Sequence, residues 1–286
     1  MSQHSSSSLS RARGEHALEA CYEAFGFRFM VRSPSEAIAE AVDLVYEEMR
    51  TPSQDRARLV VDIKPKAEDP ALLEVLFDGT PVFEAGRLGD LLHELDNQLS
   101  VHLEHSSPHL YFVHAAALAD DKGGLLLVGE SGAGKSTTTY ALATLGLLYL
   151  SDELAPMEPS TGMISPYPRA ICLKRDPPPP LRLPRRHLRT EWTLHIPATE
   201  LGAPVALEPV PLTRVIFVRY SPKHTSVNLR TISRGHAAVR LYQSALNQLA
   251  HPGLGLDDTL RLIQRADCYE LEAAGIAGTV RAVLCC

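Results

Sequence analysis

Apolar and polar positions change period in blocks along the chain, and the blocks predict its elements. Phe25 to Arg32 is strand-like. Ser33-Pro34-Ser35-Glu36 is a helix start, and a helical apolar pattern follows it through Met49. Arg58 to Ile63 and Leu72 to Phe77 read as strands, with Asp78-Gly79 marking a hairpin turn. Leu88 to Glu104 reads as a helix. Residues 22–105 are thus expected to form an α+β subdomain with no recognisable chemistry of its own. Residues 1–21, which open with Met1-Ser2-Gln3-His4-Ser5-Ser6-Ser7-Ser8, read as a disordered tail without the apolar core of a secretory signal.

In the remaining block, residues 106–286, strand-like and helical stretches alternate. Tyr111 to Leu118 and Gly124 to Val128 read as strands joined by the polar turn Asp120-Asp121-Lys122-Gly123. Thr137 to Leu145 reads as a helix that Gly146 stops, and the apolar run Leu147 to Leu150 follows. Arg175-Asp176-Pro177-Pro178-Pro179-Pro180 breaks regular structure, since proline removes donors and restricts its predecessor. With the basic segment Leu181 to Arg189 it forms a long surface loop. Leu212 to Tyr220 is a clear strand, and Arg234 to Leu249 and Leu256 to Ala266 look helical.

Composition narrows the classes. At 45% hydrophobic and 22% charged residues, the chain of 286 is globular. A formal net charge of -6 gives no global attraction to nucleic acid or to anionic lipid. No apolar run is long enough to span a membrane, so no membrane partner is expected. The five cysteines show neither metal-ligand spacing nor a disulfide framework, which suits a reducing cytoplasm.

The densest chemical signal is Gly129-Glu130-Ser131-Gly132-Ala133-Gly134-Lys135-Ser136-Thr137, a full match to the phosphate loop G-x-x-x-x-G-K-[ST] (Walker A). Gly129, Gly132 and Gly134 permit backbone angles that gather N–H groups around one anion. Lys135 brings a point charge to the β- and γ-phosphates, and Ser136 offers a hydroxyl to Mg²⁺. The helix opened by the loop presents its positive end to the phosphate. A nucleoside triphosphate with Mg²⁺ is therefore the expected cofactor, ATP or GTP, since the loop reads phosphates and not the base.

Ser151-Asp152-Glu153 closes the run that follows the helix. Carboxylates at the C-terminal edge of a strand lie where α/β sheets bind ligands. One can hold Mg²⁺, and the other can accept a proton from an attacking hydroxyl. His114 lies at the end of a strand expected to pair into the same edge. Lys174, Arg169, Arg182, Arg185, Arg186 and Arg189 are candidate cations for the γ-phosphate, Lys174 first among them. Trp192, the one tryptophan, follows the basic loop and reads as a packing residue.

Residues 111–174 resemble the catalytic core of the HPr kinase/phosphorylase family of bacterial serine kinases and its wider HPr-kinase-like group. The matching pieces are Val113-His114-Ala115-Ala116-Ala117, the loop, Ser151-Asp152-Glu153, Thr161-Gly162, and Pro168-Arg169 to Leu173-Lys174. The resemblance implies an α/β fold: a P-loop nucleotide-binding core of the HPr kinase/PEPCK-like type, behind an N-terminal α+β subdomain. It implies that Asp152 is the general base that deprotonates a serine, that Glu153 binds metal with Ser136, and that His114 orients the catalytic carboxylate. It also implies a seryl protein or peptide as acceptor, and a homo-oligomer, since the resembled kinases form hexamers. Glu153 departs from the family's aspartate, and no E-I-R-G-x-G-type signature follows downstream. A kinase for a small hydroxylated metabolite, or a nucleotide-binding switch without efficient transfer, fits the same residues.

Overall fold

The computed structural model describes residues 18–52, 57–221, 223 and 225–286. The N-terminal unit is a six-stranded sheet in the order β3-β1-β2-β4-β5-β6. Its strands are β1 (Leu18–Ala24), β2 (Phe27–Ser33), β3 (Arg50–Thr51), β4 (Leu59–Pro65), β5 (Leu73–Phe77) and β6 (Thr80–Ala85). The first strand corrects one expectation. Residues 18–21 belong to β1 and not to a tail, while residues 1–17 lie outside the described residues. Of the inward positions Ala20, Tyr22 and Ala24, only Tyr22 is a strand former, so β1 carries a weak strand signal. Asp78 and Gly79 have φ of 49° and 78°, the pair of positive angles that closes a two-residue hairpin between β5 and β6.

Two helices pack on this sheet. Helix α1 (Glu36–Tyr46) buries Ala39, Val42, Val45 and Tyr46. Helix α2 (Leu88–Ser106) buries Leu91, Leu95, Leu99 and Leu103, one apolar stripe repeated every fourth residue. Burying each of these leucines stabilises the unit by about 2 kcal/mol relative to exposure. The core does not stop at the unit's edge, for Leu110, Phe112, Leu154 and Tyr167 from the following block join the same cluster.

That block is built on an eight-stranded sheet. Strand β7 (Tyr111–Asp120) pairs antiparallel with β8 (Gly123–Val128) along one edge. Its other edge takes β9 (Leu148–Ser151) and β10 (Leu154–Glu158) in turn. The hairpin partner of β10 is β11 (Met163–Ile164). A separate three-stranded sheet holds β12 (Ile171–Leu173), β13 (Leu188–Arg189) and β14 (Leu194–Ile196), in the order β12-β14-β13. The large sheet is completed by β15 (Val210–Tyr220), β16 (Asn228–Thr231) and β17 (Asp267–Ala273). Strands β8, β15 and β17 run parallel, and the apolar runs of β8 and β15 suit a centre covered on both faces.

Helix α3 (Lys135–Thr144) is buried on nearly every side, between the large sheet and the small one. Helices α4 (Arg234–Gln243) and α5 (Leu256–Gln264) cover the opposite face, and α6 (Ile276–Leu284) packs beside α3. The fold class is thus mixed α/β. The expected helix to Leu249 ends at Gln243, because the chain beyond it becomes a partner of β7: Ala245 bridges Val113, and Asn247 Oδ1 accepts from the Phe112 amide at 2.9 Å. Among the described residues no helix is long and apolar enough to cross a membrane.

Candidate active site

The C-terminal end of β8 delivers the glycine-rich loop Gly129 to Gly134, and α3 begins at Lys135. Gly132 and Gly134 adopt φ of 85° and 93°, left-handed angles that favour glycine. Gly129 serves a different purpose. A Cβ there would stand 2.5 Å from the Val218 carbonyl oxygen, so glycine allows the loop to pass close to β15. The first-turn amides of α3 have no acceptor within the helix and face the loop mouth.

Lys135 is nearly buried, and its Nζ donates to the Gly129 carbonyl at 2.6 Å and to that of Glu130 at 3.4 Å. Burial lowers its pKa; Glu153 and Asp152 oppose that shift, and Lys174 adds to it. Lys174, just past the end of β12, hydrogen-bonds the Ser131 hydroxyl and so lies against the loop. Ser136 and Thr137, in the first turn of α3, are partly exposed.

Asp152 and Glu153 fill a two-residue break between β9 and β10. Asp152 is fully buried. Its Oδ2 accepts from the Cys172 amide at 2.9 Å, and its Oδ1 has no protein partner. Burial pushes its pKa up to about 6 and the Glu153 charge adds to this, while Arg169, the Cys172 amide and the adjoining Ser136 hydroxyl pull it down. Glu153 is open to solvent, with 40% of its side chain exposed, and its Oε1 lies 3.2 Å from His114 Nε2.

His114 is not at a strand end. It is the fourth residue of β7, opposite Leu154, where the strand's partner changes from β10 to β8 and β9. Its contact is with Glu153 and not with Asp152. Burial lowers the imidazole pKa; Glu153 raises it, and Lys135, Arg169 and Lys174 lower it further.

The basic candidates separate. Arg169 is no free phosphate ligand: its guanidinium is buried, 3.3 Å from Asp96 and 4.0 Å from Glu153. Arg186 forms a two-point pair with Glu47 at 2.9 and 2.5 Å, and Arg189 pairs with Asp176 at 2.6 Å. Trp192 packs under the Arg87 guanidinium and donates to Asp90 at 3.1 Å, so the end of the basic loop is fastened to the start of α2. Among the described residues no group of three or more His, Cys, Asp or Glu side chains is arranged to hold a metal. A metal here would therefore draw part of its shell from phosphate oxygens and water.

Sequence reasoning missed the Cys172 amide and Asp96. A backbone donor carries no residue signature. Asp96 sits beside Leu95 in the middle of α2, where the only available sign was a carboxylate next to an apolar stripe. Comparison with protein-family models finds no match, and comparison with curated proteins finds none.

Proposed function

We propose that this protein is an HPr-kinase-like, ATP- and Mg²⁺-dependent kinase that transfers the γ-phosphoryl group to a serine hydroxyl of a protein or peptide. The observation that carries this reading is a convergence. Lys135, the Lys174–Ser131 contact and the Asp152–Glu153 pair all lie at the glycine-rich loop, and Glu153, Asp152 and Lys174 all act on the Lys135 charge. Ser136 and one carboxylate fit a Mg²⁺ whose shell is completed by phosphate oxygens and water. Bound there, Mg²⁺ would neutralise charge on the transferring group.

The resemblance gives Asp152 the acceptor proton and Glu153 the metal. Burial favours the exchange of these two roles. Asp152 has no exposed surface and adjoins Ser136. Glu153 faces solvent and is held by His114 at 3.2 Å. In this reading the acceptor O–H proton passes to the Glu153 carboxylate as its oxygen bonds the γ-phosphorus. The bond from that phosphorus to the β–γ bridging oxygen breaks, and ADP leaves. Lys135 and Lys174 stabilise the charge on the phosphoryl oxygens.

The test uses γ-labelled ATP, Mg²⁺ and an extract of the source organism, separated by size after reaction. Label entering protein or peptide with wild type, and not with Asp152→Asn or Glu153→Gln, is the expected result. Label confined to small molecules would instead identify a metabolite kinase. Tight ATP binding without any transfer would leave a nucleotide switch.

A further inference from the structure

Helix α2 belongs to the N-terminal unit, yet it reaches the acidic pair through a single guanidinium. Arg169 Nη1 lies 3.3 Å from Asp96 Oδ2, and its Nη2 lies 4.0 Å from Glu153 Oε2. The other oxygen of Glu153 faces His114. Tyr46 of α1 donates to Asp96 Oδ1 at 3.4 Å. The backbone around Arg169 is fixed as well: its carbonyl accepts from the Tyr149 hydroxyl at 2.9 Å, and the Ala170 amide donates to the Val45 carbonyl of α1 at 2.8 Å. Phe25 of the N-terminal unit packs on both Phe112 and Tyr167 at 5.8 Å.

An arginine stays charged in a protein interior, and a buried charge requires a counter-charge. Two carboxylates share this one. Asp96, the nearer, takes most of the compensation and leaves Glu153 at the limit of contact, free to engage His114. Without the Asp96 charge, Arg169 would draw Glu153 inward and away from His114.

We propose that Asp96 and Arg169 are positioning residues through which the N-terminal unit sets the place of the Glu153 carboxylate. The catalytic consequence rests on the kinase reading above; the coupling itself does not. The experiment has two arms, run on full-length chains whose folding is checked by circular dichroism. In the first, Asp96→Asn lowers kcat for labelled phosphate transfer by about 10-fold, while KM for ATP and the affinity for a fluorescent ATP analogue stay at wild-type values. Asp96→Glu, which restores the charge, recovers part of the rate. In the second, Tm is measured for Asp96→Asn, Glu153→Gln and the double variant. Removing both contacting carboxylate charges leaves Arg169 buried without an ion-pair partner, so the double variant loses more Tm than the sum of the singles. Wild-type kcat in Asp96→Asn overturns the positioning role, and additive Tm shifts overturn the coupling. If wild type transfers no label, the kinase reading fails and the Tm cycle alone decides the coupling, for or against.

Discussion

Two clusters of buried polar side chains are reached from strand β7, and they are satisfied to different degrees. Near the start of β7, Asn247 donates to the Leu110 carbonyl at 2.8 Å and accepts from the Phe112 amide at 2.9 Å. His251 places Nδ1 2.8 Å from Asp258 and Nε2 3.1 Å from the Leu110 carbonyl. The Tyr111 and Thr259 hydroxyls bond each other at 2.6 Å. No atom of this group lacks a protein partner. Below the acidic pair the pattern reverses. Asp152 Oδ1, Tyr167 Oη, Arg169 Nε and His195 Nδ1 are buried without one. Burial, with the Arg169 charge, lowers the His195 pKa to about 4. Satisfied buried networks fix a fold; unsatisfied ones cost stability and persist where function requires them. The first cluster reads as scaffold for β7, and the second lies at the base of the proposed site.

The comparison breaks most readily at the acidic pair. Asp152→Asn and Glu153→Gln are each expected to cut phosphoryl transfer by about 10²–10⁴-fold, whereas Asp258→Ala leaves transfer within a few-fold of wild type after correction for folded fraction. The two acidic variants differ in a Mg²⁺ titration. Asp152→Asn needs more metal for its residual rate, and Glu153→Gln keeps the wild-type requirement.

Stability is expected to move the opposite way. Asp152 has a folded-state pKa of about 6, above its usual value of 3.8. Above pH 6 its buried charge therefore costs the fold about 3 kcal/mol. That cost shrinks as pH falls from 6 towards 3.8 and the folded state takes up the proton. Asp152→Asn thus raises stability by up to about 3 kcal/mol at pH 7, and the gain vanishes near pH 4. Urea unfolding of both proteins across pH 4–8 measures this, and an equal or lower stability of the variant at pH 7 would sink it.

In the scaffold cluster, Asp258→Ala strands His251 Nδ1 and removes an ion pair to Arg261 at 3.0 Å. A loss of about 2 kcal/mol in the same unfolding experiment is the expected outcome, with the affinity for ATP unchanged. The smallest effect is expected at Lys174. Lys174→Met removes one exposed cation from the loop and should weaken ATP binding by about 10-fold, read by isothermal titration, without altering Tm.

Strand and helix positions were legible where the pattern was strong. The Asp78-Gly79 hairpin and the leucine stripe of α2 formed as their local chemistry dictates. Strand β17 was not legible, though it lies inside the large sheet. Its Glu270 and Glu272 disguise it, and they are accommodated by Arg230, Arg240 and Arg219 from other elements. Among the basic candidates, sequence could order by proximity but not by partner. Arg169, Arg186 and Arg189 all proved to be engaged with carboxylates, two of them on the N-terminal unit.

The sequence by itself determined the glycine-rich turn between β8 and α3, because its glycines act through backbone angles and neighbours within nine residues, Gly129 to Thr137. It also determined that two carboxylates follow the helix. Only the tertiary structure decided what surrounds each of them. Asp152 turned inward under the Cys172 amide, and Glu153 stayed outward against His114. Burial and counter-charge are properties of distant elements brought together, and Asp96, far upstream on α2, reaches this pair only because the two units share one apolar core.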